Sequence, residues 1–202
     1  MFTDPWESAD ESGTVFRDVI FLALTGFMFV TILLLPHIHS PGERDNADVT
    51  PPGNVIIEAK WDDGLDTDVD LWVQAPGDVP VGYSNKAGRF FNLLRDDLGA
   101  TGDPTEINFE TAYTRGIAAG EYTVNLHLYR NPSGVLPMKV IVVARVKPTP
   151  DASSKVLVST TVTLTRAGQE ITAFRFRLTD TGGLVAGSIH SLMKPLRSVS
   201  RG

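Results

Sequence analysis

The residues best suited to chemistry are acidic. In the stretch Trp61-Asp62-Asp63-Gly64-Leu65-Asp66-Thr67-Asp68-Val69-Asp70-Leu71-Trp72-Val73 three aspartates, Asp66, Asp68 and Asp70, stand at alternate positions. On an extended strand they would point the same way, and in a loop they could converge on one hard cation. Calcium takes six to eight oxygens, so three carboxylates do not suffice, and Asp62, Asp63, Asp96, Asp97 and Glu106 are the acids that folding could bring alongside. The glycine an EF-hand loop requires is missing, which excludes that motif. The competing reading is structural: aspartates that shape turns and accept hydrogen bonds from backbone amides. Calcium is therefore the candidate cofactor, with Asp66, Asp68, Asp70, Asp96 and Asp97 as its candidate ligands.

A second acid stands apart. Asp18, beside Arg17, opens the run VIFLALTGFMFVTILLL, which carries no charge from Val19 to Leu35. A carboxylate inside a membrane is unfavourable by roughly 2.5 to 3.5 kcal/mol at mid-helix and less near an end, so it reads as a functional residue unless it sits at headgroup level. At helical spacing Asp18 and Thr25 share a face, which makes them candidates for a proton-transfer path. The competing reading is an Arg17-Asp18 pair that only ends the span. His37 and His39 are either half a metal site or two interfacial side chains. The four histidines (His37, His39, His127 and His190) have no ligand spacing, and no nucleophile motif or phosphate loop occurs, so no enzyme activity is expected.

These side chains need elements to position them. Residues 1–13 are acidic and polar with Pro5, a composition that does not order itself, and a mobile cytoplasmic tail is expected. Residues 14–36 form an apolar segment ending at Pro36, long enough to cross about 30 Å of hydrocarbon. Its acidic N-terminal flank and the lack of a small-residue cleavage site argue for a retained transmembrane helix over a cleaved signal peptide. Arg17 before the helix and Arg44 after it leave the positive-inside count nearly balanced, and a short cytoplasmic tail with the bulk outside is the default orientation. Residues 37–53 have the Pro, Gly, Asp, Asn and Ser content of a linker.

Beyond the linker, NVIIEAK, VDLWVQA, TEINFE, EYTVNLHLYR, MKVIVVARV, KVLVSTTVTLT and ITAFRFRL are rich in Val, Ile, Thr and aromatics and are separated by turn residues. In the fourth, Tyr122, Val124, Leu126 and Leu128 fall on one face and Thr123, Asn125, His127 and Tyr129 on the other, the pattern of a half-buried antiparallel strand. The expected fold is all-β: a β-sandwich of jelly-roll or immunoglobulin-like kind over residues 54–181, preceded by a single N-terminal transmembrane helix. Residues 182–202 lose the pattern and are expected to form a flexible tail. The net charge of -6 and the sparse basic residues Lys194, Arg197 and Arg201 argue against nucleic acid as a partner. With no cysteine, disulfides and thiolate sites are excluded.

Two resemblances refine this. Phe16-Arg17-Asp18-Val19, followed by an apolar run and Phe27-Met28, resembles the start of the transmembrane helix in the ExbD/TolR family, more distantly related to MotB. The resemblance implies an inner-membrane subunit of a proton-driven stator, with Asp18 as proton carrier. It also implies a helix dimer inside a multi-span partner ring of the ExbB/TolQ/MotA type and a periplasmic domain that acts on an envelope protein or the cell wall. Arg17 and the absence of a proline before Phe16 depart from that family's pattern. Trp61 through Pro76, Tyr83-Ser84-Asn85, Arg95-Asp96-Asp97 and Gly120-Glu121-Tyr122-Thr123-Val124 are similar to a bacterial family of β-sandwich domains typified by YfaP, over about seventy residues. That likeness implies a fold but no catalytic residues. It also suits the alternative function, a passively anchored periplasmic binding module, calcium-stabilised and without a proton role.

Overall fold

The computed structural model describes residues 7–34, 53–99, 107–149 and 152–197. The chain divides into two compact units, Met1–Val49 and Thr50–Gly202. The first contains one helix, α1 (Glu7–Leu34). It starts earlier than the expected tail of residues 1–13 allows. Within α1, Val15–Leu33 is a 19-residue apolar window with mean hydropathy 1.9 and no part buried against the rest of the chain. Its two hydroxyls are satisfied inside the helix: Thr25 donates to the Phe21 carbonyl at 2.7 Å and Thr31 to that of Phe27 at 2.8 Å. Apart from Gly53, the expected linker lies outside the described residues.

The second unit is all-β. Its strands are β1 (Val55–Lys60), β2 (Asp68–Gln74), β3 (Phe91–Arg95), β4 (Phe109–Thr114), β5 (Gly120–Arg130), β6 (Met138–Val146), β7 (Lys155–Leu164) and β8 (Glu170–Leu178). They form two antiparallel sheets, ordered β3-β4-β1-β6-β7 and β2-β5-β8. Between them lies one core. Val55, Ile57 and Ala59 of β1 and the even-numbered residues Met138 to Val146 of β6 face Val69, Leu71 and Val73 of β2 and Tyr122, Val124, Leu126 and Leu128 of β5. Alternation thus predicted the inner face of β5, because a strand with one face in a core repeats every second residue. Tyr122 anchors one end: its ring stacks on Phe176 at 5.2 Å, and its hydroxyl donates to the Ala118 carbonyl and accepts from the Ala118 amide, both at 2.9 Å.

Three expectations need correction. The strand expected at TEINFE lies further along as β4, and β3 was not foreseen. Both are rich in Asn, Arg, Glu, Ala or Thr and show little apolar alternation. Strand β5 is not half-buried: Thr123, Asn125 and His127 on its outer face are as buried as the core, and only Tyr129 is exposed, at 54%. For Asn125 the cause is the third correction. The expected flexible tail from residue 182 runs back along the β2-β5-β8 sheet as an ordered strap to residue 197. Leu184 bridges to Leu178 and His190 to Arg175, and Leu196 is fully buried. Glu170 Oε1 accepts from the amide of Leu196 at 2.9 Å, and Asn125 Nδ2 donates to the Lys194 carbonyl at 2.8 Å. On the same face Tyr83 packs edge-on against Trp72 at 5.6 Å.

Candidate metal centre

The acidic residues meet where β2, at the edge of one sheet, faces the β3–β4 end of the other. Asp68 and Asp70 are one pleat apart on β2 and so share a face. Asp96 and Asp97 follow β3, and Glu110 is an inward-facing residue of β4. Oxygens of Asp70, Asp96 and Glu110 lie within 4.8 Å of one another.

Each carboxylate in this group is held in a particular way. Glu110 is fully buried and takes two backbone donors, the Leu71 amide at 2.6 Å on Oε2 and the Asp97 amide at 3.3 Å on Oε1. The first of these bonds links β4 to β2 across the two sheets. Asp70 Oδ2 lies 2.6 Å from His127 Nδ1, and both side chains are buried. Asp96 Oδ2 pairs with Lys86 Nζ at 2.8 Å, while its Oδ1 is buried and meets no hydrogen-bond donor among the described residues. Asp68 is 3% exposed, and its Oδ1 also lacks a donor there.

The electrostatics follow from burial and crowding. Asp68 is pushed from 3.8 to about 7, first by burial and then by the charge of Asp70; Asp96 and Asp97 add to this, and Arg130 opposes it. Asp70 is raised mainly by burial, against the opposing His127 hydrogen bond. Glu110 is raised well above 4.5, mainly by burial, with the Leu71 amide opposing. Carboxylates kept from water in this way are stable only when protonated or when matched by positive charge.

Of the five sequence candidates, the structure brings Asp70 and Asp96 into the group and places Asp68 beside it. Asp97 is taken up by architecture: Oδ1 accepts from the Gly99 amide at 3.0 Å and Oδ2 from the Phe109 amide at 3.2 Å, with Arg95 at 3.5 Å. Asp66 lies outside the group, against the turn at Gly99, whose φ of 67° suits glycine. Asp63 accepts from the Asn108 amide at 3.0 Å, and Asp62 offers its carbonyl to the Asn108 side chain at 2.6 Å, so both shape the loop after β1. His37, His39 and Glu106 lie outside the described residues. Sequence reading missed Glu110, His127 and Lys86. The signal for Glu110 was a carboxylate at an inward strand position, which only a correct register for β4 would have exposed. In α1, Asp18 and Thr25 are both exposed on the helix surface.

No protein-family profile and no curated protein matches the chain. A solved structure described as that of SAV2460, a protein of unknown function, matches with a TM-score of 0.44 and 16% identity, covering 73% of this chain and 95% of that one.

Proposed function

We propose that this chain is a single-pass protein of a bacterial inner membrane whose β-sandwich works outside the cytoplasm as a non-catalytic binding module for an envelope protein or cell-wall ligand. The supporting observation is the outer surface of α1. From Ile20 at 42% exposed to Leu22 at 79%, its large apolar side chains present hydrocarbon in every direction. A helix apolar all round has no stable place in water, and 19 residues at about 1.5 Å each match the roughly 30 Å of a bilayer interior. Alkaline carbonate extraction tests the span: the protein stays in the membrane pellet, and release into the supernatant refutes it. Orientation is testable because the chain has no cysteine. A Ser191→Cys variant, exposed on the strap, reacts with a membrane-impermeant maleimide on intact spheroplasts if the sandwich is outside; labelling only after lysis reverses the topology.

One observation favours a second reading, in which the chain is a stator subunit that carries protons on Asp18. Because α1 begins at Glu7, Asp18 lies within the helix, inside the apolar window and not at its start. Thr25 gives its hydroxyl proton to Phe21, so its oxygen remains an acceptor on the face that Asp18 shares. In this reading α1 pairs with a second copy inside a multi-span ring.

A further inference from the structure

Beyond the membrane reading, and independent of it, we propose that the acidic centre is a calcium site. Asp70, Asp96 and Glu110 are its ligands, Asp68 completes the charge, and His127 and Lys86 are positioning residues.

Spacing comes first. Calcium binds oxygen at about 2.4 Å, so two ligands on opposite sides of one ion stand about 4.8 Å apart. One oxygen from each of Asp70, Asp96 and Glu110 lies within 4.8 Å of the other two, a spacing that suits three ligands drawn in around one ion. The set is entirely oxygen, which selects a hard cation over softer transition metals.

Acidic groups cluster on many protein surfaces without an ion, but this cluster is buried and incompletely satisfied. Asp68 Oδ1, on a residue only 3% exposed, has no donor among the described residues, and neither does the buried Asp96 Oδ1. Glu110, fully buried, has two backbone amides and, among the described residues, no cationic hydrogen-bond partner. Positive groups stand around the cluster: Lys86 on one oxygen of Asp96, Arg95 on Asp97, Arg130 reaching the Leu98 carbonyl, and Arg197, whose charge acts on Asp70. A divalent ion at the middle supplies the missing charge.

The partners of the carboxylates are arranged as a ligand set requires. His127 holds one oxygen of Asp70 and Lys86 holds one oxygen of Asp96, which fixes both carboxylates and leaves each a second oxygen for an ion. The structural consequence is a clamp. Asp70 belongs to the β2-β5-β8 sheet, whereas Glu110 and Asp96 belong to the end of the other, so the ion ties the two sheets together.

The test uses the full-length protein in detergent, stripped with EDTA and titrated with calcium by calorimetry, with thermal unfolding followed in parallel. One saturable site and a raised melting temperature are expected, with magnesium a poor substitute. Asp96→Asn and Glu110→Gln should each weaken calcium at least tenfold, while Asp180→Asn leaves it unchanged. If Glu110→Gln does not fold, Asp96→Asn decides, because Asp96 lies on a loop at the rim. The positioning role of His127 predicts that His127→Ala lowers affinity by about 10-fold or more and that His127→Asn, whose amide replaces the Nδ1–H donor, restores much of it. Absence of saturable binding at millimolar calcium overturns the proposal. So does wild-type affinity in Asp96→Asn.

Discussion

Asp68 makes an unusual prediction for the chelated protein: acid should stabilise it. Its carboxyl lies near 7 in the folded chain against 3.8 when unperturbed. A group whose folded value is raised contributes its full stabilisation below the unfolded value and loses it as pH rises through the folded one. Between about pH 8 and about pH 5, at about 1.36 kcal/mol per pH unit below the folded value, Asp68 alone adds roughly 2.5 kcal/mol. In a domain of about 150 residues that is a rise in Tm of about 5 to 10 °C on acidification. Asp70 and Glu110 shift in the same direction and steepen the trend. Glu121 is lowered by its Arg175 partner and opposes it only below its ordinary 4.5, outside this window. The assay is thermal or urea unfolding in excess EDTA, read by the fluorescence of the buried Trp61 and Trp72. Asp68→Asn should remove about 2.5 kcal/mol of the pH dependence and make the chelated protein more stable than wild type near pH 8. With calcium the wild-type trend should reverse, because protons and the ion compete for the same oxygens. A chelated wild type whose stability is flat or rises from about pH 5 to about pH 8, or an Asp68→Asn variant with the wild-type slope, would refute the reasoning.

Two further outcomes test other parts of the structure. If α1 carries protons, Asp18→Asn co-purifies with its multi-span partner from native membranes but abolishes the powered process; a fully active variant reduces the helix to a tether. Gly82→Ala should destabilise the sandwich by about 1 to 3 kcal/mol in urea unfolding, since a Cβ there would stand 2.5 Å from the buried Trp72 ring, and an unchanged midpoint would mean that this contact is loose.

Particular residues show how far the site was legible. Asp68 and Asp70 were visible because a strand period of two puts alternate acids on one face, and Asp96 because it stands in an acidic pair after β3. Glu110 was hidden. An acid facing inward breaks the alternation that defines a strand, and the weak pattern of β4 left its expected start at Thr105 instead of Phe109, two strand repeats too early. His127 was assigned to a solvent-facing side because nothing local in Gly120–Arg130 records that Asp70 of β2 will bond it or that the outer face of this sheet will be buried. The dual use of aspartates was equally illegible. Asp97 and Asp70 are the same residue type in similar acidic company, and only the donors around them separate a loop cap from a candidate ligand.

The sequence by itself determined the helix that suits a bilayer, the β character of the rest and the inner faces of its strongest strands. These follow from composition and short-range periodicity, which act within one element. Tertiary structure alone decided that Glu110 meets Asp70 and Asp96, that Asp97 and Asp66 do not join them, and that the C-terminal residues bond to Asn125 and Glu170 on the outer face of their sheet. Those outcomes depend on which strands pair and on how the sheets meet, through contacts between residues 13 to 57 positions apart, and no local pattern encodes them.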